Sequence, residues 1–178
     1  QLAGAFADPA TALVLGSVRN ANEQHALKML ADYEDEKTSY VFSQHDRSLY
    51  YGYGGNMAVR RDVFDRCGLF REVDRGADTV FLCDVVETFG PEAVRHVPAA
   101  RVRHLEIGSV SDWYSKLAIY GRSHQRYSRW STTRTLNFGE RFKVMQSTAA
   151  RNSYSWLERL HFAALLAGGA AAYEVGRI

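Results

Sequence analysis

Residues 76–91 read Gly-Ala-Asp-Thr-Val-Phe-Leu-Cys-Asp-Val-Val-Glu-Thr-Phe-Gly-Pro, and their pattern predicts a helix over Ala77–Phe89. Leu82, Val85, Val86 and Phe89 recur at i, i+3, i+4 and i+7, the spacing of one helical face. Gly90-Pro91 stops it, since neither residue readily continues a helix. Asp78 falls in the first turn, where a carboxylate complements the helix dipole.

Upstream, Thr11–Val18 (TALVLGSV) is an apolar, β-branched run between Asp8-Pro9 and Arg19-Asn20 and reads as a buried strand. Ala21–Tyr33 carries Ala26, Leu27, Leu30 and Tyr33 on one stripe and reads as a helix. The polar stretch Glu34–Arg47 reads as a loop with a short strand at Tyr40–Phe42. Tyr50–Val59 (YYGYGGNMAV) begins as a glycine turn and ends as a strand, and Arg61–Cys67 is a short helix stopped by Gly68. An acidic, irregular stretch, Arg71–Gly76, leads into the helix at Ala77. Downstream, Val94–Val97 and Arg101–Leu105 read as short strands joined by Pro98. A long helix starts near Ser109 and runs through Tyr120 toward Trp130. A last helix starts near Ser155 and ends in FAALLAGGAAAY, residues 162–173, an apolar run shorter than the ~20 residues a spanning helix needs. Helices alternating with short strands give an α/β class.

With 178 residues, 46% hydrophobic and 24% charged, the chain can bury a proper core. Disorder, collagen-like repeats and a disulfide-stapled miniprotein are excluded. Cys67 and Cys83 are too few for a disulfide framework and read as small core fillers in a reducing compartment. No basic-then-apolar signal segment opens the chain, and a start at Gln1 without Met reads as a fragment. The near-neutral net charge of +2 hides a split. Residues 1–112 hold 12 Lys and Arg against 17 Asp and Glu, whereas residues 113–161 hold nine against two. The later segment is suited to an anionic partner, or is a well-solvated helical face.

Four groups of residues are suited to chemistry. Gly52-Tyr53-Gly54-Gly55-Asn56 lets backbone approach a ligand, and the Asn56 amide offers a donor and an acceptor to sugar hydroxyls; the alternative is an ordinary turn. Asp78 is placed either to cap its helix or to serve as a general base. In Arg101-Val102-Arg103-His104, alternation puts Val102 and His104 on one face and the arginines on the other; His104 is a metal-ligand candidate or a structural histidine. In the segment 120–130, Arg122, Arg126 and Arg129 interleave with Tyr120, Tyr127 and Trp130, which suits nucleic acid, a polysaccharide, lipid headgroups or packing against the chain's own domain.

Taken in order, GYGGNMAVRRDVFDRCGLF, RGADTVFLCDVVETFG, VPAARVRHLEIGS and YGRSHQRY resemble the C-terminal, acceptor-side half of a family 2 glycosyltransferase with the GT-A fold. The resemblance runs over Tyr53–Tyr127. It implies a mixed sheet with flanking helices, residues 1–108 as the acceptor-side part of the catalytic domain and 109–178 as a helical, basic extension. It implies transfer of a sugar from a nucleotide-diphosphate donor to a hydroxyl of a saccharide or lipid-linked acceptor, with inversion. Asp78 matches the catalytic aspartate, and Gly54, Gly55 and Asn56 match the acceptor-side loop. His104 matches a position that contacts the metal or diphosphate in some relatives, and Arg122, Arg129 and Trp130 match acceptor contacts. The implied cofactor is Mg²⁺ or Mn²⁺, its main ligands in a donor-binding half upstream of Gln1. Three departures stand out. Ala77 occupies the place of the motif's Glu, no Asp-x-Asp occurs, and Gln125–Trp130 is one residue too long for the processive enzymes' Gln-x-x-Arg-Trp, which favours a non-processive enzyme. The resemblance implies a cytoplasmic enzyme, with peripheral contact at the inner face of a membrane left open, and no nucleic-acid partner. The alternative is a non-catalytic module of the same fold that docks on a membrane or polyanion.

Overall fold

Leu13, Val14 and Leu15 are all fully buried, so both faces of the strand they form are covered. That strand is β1 (Leu13–Asn20) in the computed structural model, which describes residues 2–20, 24–44, 46–73, 75–105, 107–131 and 133–178. β1 is central in a three-stranded mixed sheet of order β2-β1-β3. β2 (Met57–Val59) runs antiparallel to it, pairing Leu13 with Val59, Val14 with Ala58 and Leu15 with Met57. The chain is α/β, as its alternation of apolar periods implies. It divides into two compact units, one made of Gln1–Val18, Ser39–Val102 and Tyr127–Thr135, the other of Arg19–Thr38, Arg103–Arg126 and Leu136–Ile178.

The first unit holds the sheet and two helices, α2 (Arg61–Cys67) and α3 (Ala77–Phe89), both with the bounds expected from sequence. Their ends follow from glycine. Gly68 (φ 78°) and Gly90 (φ 87°) take left-handed φ values that cost other residues strain, and their N–H groups donate to the carbonyls of Phe64 and Val86. Phe81 on α3 packs against Phe64 of α2 and against Phe70, with ring centroids 5.1 and 4.6 Å apart. Cys83 is buried beside Ser131, and burial pushes its thiol pKa up, so it is a core residue as expected.

One strand replaces two. β3 spans Val94–His104 without a break, correcting the expected interruption at Pro98. As an edge strand it has one side on which no ladder donor is required, and proline is tolerated there. The expected alternation at its end is present: Arg101 and Arg103 are exposed, Val102 and His104 half-buried.

A second correction concerns α1, which spans His25–Ser43; the loop and short strand expected over Glu34–Arg47 are helical as far as Ser43. Side chains one turn apart satisfy the polar stretch. The Lys37 ammonium pairs with the Glu34 carboxylate, and the Thr38 hydroxyl donates to the Glu34 carbonyl at 2.8 Å. Buried Val41 then resumes the apolar pattern. Residues 21–23, where the helix was expected to begin, lie outside the described residues.

The second unit consists of the first part of α1 with α4 (Val110–Tyr127), α5 (Phe138–Arg151) and α6 (Trp156–Arg177). α4 and α6 match the expected long and last helices; α5 was not anticipated. Both α5 and α6 start with a capping box. Asn137 accepts from the Glu140 N–H and Ser155 from the Glu158 N–H, while each glutamate reaches back to its cap's own N–H. Phe162 lies at the centre of this unit, its ring edge-on to Tyr33 at 6.0 Å and to Tyr154 at 5.6 Å. Among the described residues no helix is long and apolar enough to cross a membrane.

Asp32, buried on α1, gathers Arg19 at 3.0 Å, Lys28 at 3.1 Å and the Tyr154 hydroxyl at 3.5 Å. Burial first, then the neighbouring Asp32 carboxylate, push the Tyr154 pKa up to about 12 from 10.0. Its contribution to stability is therefore intact below pH 10, where both states are protonated, and is lost as pH rises through about 12. Tyr154→Phe should flatten the alkaline limb of the stability–pH curve, measured by denaturant melts between neutral and strongly alkaline pH. An unchanged limb would assign that limb to other groups.

Candidate functional site

Asp78 occupies the second residue of α3, after Gly76, whose left-handed conformation (φ 85°) turns the chain into the helix. Its carboxylate is held at both ends. Oδ1 accepts the N–H of Thr79 at 2.8 Å, and Oδ2 accepts the N–H of Gly54 at 2.8 Å. The second contact joins two stretches read from sequence as separate candidates. Each carboxylate oxygen keeps a further lone pair, and Asp78 is only half-buried, so it can still accept a hydrogen bond from a ligand hydroxyl.

The loop bearing Gly54 is fixed by close packing. A Cβ on Gly52 would lie 2.3 Å from the Asp78 carbonyl oxygen, so only glycine lets the loop approach the first turn of α3. Thr79, buried beneath, receives the Gly52 N–H at 3.2 Å and donates to its carbonyl at 3.4 Å. The Tyr53 hydroxyl donates to the Gly16 carbonyl on β1. Gly54 and Gly55 face outward and are exposed, and a Cβ on Gly55 would meet nothing within 4 Å. Beside Asp78, the Tyr127 ring covers Gly76 so closely that a Cβ there would lie 2.4 Å from ring carbon Cε1.

Asn56 is turned inward. Its Nδ2 donates to the Ser17 carbonyl at 2.9 Å and to the Ala100 carbonyl at 2.7 Å, stitching β1 to β3. Both amide protons are thereby committed, and Oδ1 is what the side chain retains for any ligand. Space for it comes from Gly16, where a Cβ would lie 2.2 Å from Nδ2. Asn56→Ala should destabilise the first unit by about 1–3 kcal/mol, because two buried carbonyls lose their donor. Thermal or urea melts check this, and a change below a few tenths of a kcal/mol would exclude the bridging role.

Gly54 and Asp78 are thus brought together, Gly55 lies beside them, and Asn56 supports the loop from below. Arg129 and Trp130, in the same unit, stack on each other, the guanidinium 3.8 Å from the indole centroid. His104 ends β3 and Arg122 is exposed on α4; both belong to the second unit. Among the described residues no three His, Cys, Asp or Glu side chains converge as a metal site requires. His104 would supply one ligand at most, so these residues do not by themselves fit the implied Mg²⁺ or Mn²⁺.

Sequence reading missed Thr79, and for Gly52, Tyr53 and Tyr127, which stood in its candidate stretches, it did not foresee the packing around Asp78 and the loop. The signal for Thr79 was its place beside the candidate aspartate. The tight approach of Gly52 and the cover over Gly76 arise from tertiary packing and have no local signature. No family model, no curated protein and no solved structure matches the chain.

Proposed function

We propose that the chain is the acceptor-side part of an inverting, non-processive glycosyltransferase that moves a sugar from a nucleotide-diphosphate donor to an acceptor hydroxyl. The observation that carries the reading is the Asp78 carboxylate, held by the N–H groups of Gly54 and Thr79 and open to solvent beside an exposed glycine loop. As the acceptor oxygen attacks the anomeric carbon, Asp78 takes the hydroxyl proton, the bond to the diphosphate breaks, and the configuration inverts. The two backbone donors hold the carboxylate in one orientation, which favours near-attack geometry for a bound hydroxyl. Gly54 and Gly55 leave room for a saccharide over the loop, with Arg129 and Trp130 as further acceptor contacts. Donor binding, and the Mg²⁺ or Mn²⁺ that would offset the diphosphate charge, are assigned to a nucleotide-binding half preceding these residues.

The test uses the protein that joins this chain to that half. With donor and a saccharide acceptor panel, Gly55→Trp, which fills the space over the loop, should raise the acceptor KM at least about tenfold. The donor KM should hold. Equal changes in both constants, or none in either, would remove the loop from the acceptor site.

A further inference from the structure

The second unit carries an exposed surface that the transferase reading does not use. On α5, Phe138 and Phe142 stand one turn apart at 85% and 49% exposure; on the first turns of α6, Trp156, Leu157 and Leu160 are 69%, 60% and 61% exposed. Both groups are carried by consecutive helices that are tied together, Arg159 of α6 donating to Gln146 Oε1 of α5 at 3.3 Å. The apolar run that follows takes no part in this surface: Phe162 and Leu165 are buried and Leu166 is half-buried.

Around these side chains the charge is one-sided. Arg141, Lys143 and Arg159 make no ion pair among the described residues; the Arg141 guanidinium donates to the Leu136 carbonyl, and that of Arg159 to the Tyr154 carbonyl and Gln146. The nearest carboxylates, Glu140 and Glu158, are taken up by the capping boxes. The acidic residues of α1 are occupied with their own cations, Asp32 and Asp35 with Arg19, and Glu36 with Arg151. A tryptophan, phenylalanines and leucines on helices that also carry Arg and Lys match a bilayer surface, where apolar groups enter the headgroup boundary and cations meet anionic lipid. A second copy fits worse, because a two-fold contact through this patch would bring the same cations face to face.

We infer that Phe138, Phe142, Trp156, Leu157 and Leu160, with Arg141, Lys143 and Arg159, form a docking face for an anionic lipid bilayer. The inference does not involve Asp78 and stands apart from the transferase reading; Asp78→Asn should bind vesicles like the wild type. The experiment is flotation of the 178-residue chain with phosphatidylcholine vesicles, with and without phosphatidylglycerol, together with tryptophan quenching by brominated acyl chains. Binding should require the anionic lipid and be released at high salt. Arg141→Glu with Lys143→Glu should weaken it by at least about tenfold, at the usual worth of a basic residue near an anionic leaflet. Phe142→Ser with Leu160→Ser should weaken it similarly in a salt-independent way. Bromolipid should quench the wild type, and Trp156→Phe should remove that quenching whereas Trp130→Phe should not, Trp113 being buried. Equal binding to neutral and anionic vesicles, flotation without Trp156 quenching, or no flotation would each overturn the inference. So would a concentration-dependent dimer that Phe142→Ser with Leu160→Ser dissociates, since the occupant would then be a second copy.

Discussion

Asp78→Asn is expected to lower the rate of sugar transfer by roughly 10²–10⁴-fold, the usual contribution of a general base. Nucleotide-sugar affinity and melting temperature should stay near wild type. The substitution keeps the size of the side chain and one carbonyl oxygen to accept the N–H of Gly54 or Thr79, so the loop and the start of α3 retain most of their support. It removes the group able to take a proton. If Asp78 served only the helix, the loss would appear as stability, about 1 kcal/mol for a missing cap interaction, with turnover nearly intact. The two outcomes separate cleanly: kcat against Kd for the donor in one case, a denaturation midpoint in the other.

The largest stability effect should come from two glycines in the second unit. Alanine within a helix is ordinarily better than glycine by about 1 kcal/mol, so Gly121→Ala on α4 and Gly176→Ala on α6 would stabilise an isolated helix. Here the sign should reverse. A Cβ on Gly121 would lie 2.0 Å from the Tyr173 carbonyl oxygen, and one on Gly176 would lie 2.0 Å from that of Ala118. Both obstacles are backbone, which cannot rotate aside, so the helices must separate. Each substitution should cost at least the roughly 1–3 kcal/mol typical of overpacking, and the pair should cost more than either alone. Urea melts of the two single variants and the double measure it. A gain in stability from either single variant would mean that α4 and α6 are not in backbone contact at that point.

Short-range chemistry explains which parts of this fold could be read from sequence. α2 and α3 were legible to the residue because Gly68 and Gly90 take left-handed conformations where the apolar period stops. α1 was underestimated because Glu34–Ser39 looks like a loop until Glu34 and Lys37 are seen to pair along a helix. α5 was missed although Asn137 and Glu140 stand at capping-box spacing, a signal as strong as that of Ser155 and Glu158. Pro98 suggested a break because sequence does not say which strand lies at an edge.

The candidate site divides the same way. Asp78 and the glycine loop were each visible as possibilities, but the hydrogen bond between Gly54 and Asp78 spans 24 positions and follows from tertiary structure alone. Asn56 shows the converse. Its amide suits a sugar by composition, and the fold spends both amide protons on the Ser17 and Ala100 carbonyls.

In the proposed reaction Asp78 serves sugar transfer from a nucleotide-diphosphate donor. The most direct test of that role is release of nucleoside diphosphate from a panel of such donors, with saccharide acceptors present, by a protein in which this chain is joined to the proposed nucleotide-binding half. Wild type and Asp78→Asn are assayed side by side. Acceptor-dependent release by the wild type, matched mole for mole by glycosylated product, is expected, with almost none from the Asn variant. Equal release by the two proteins, or none from any donor by the wild type, would contradict it.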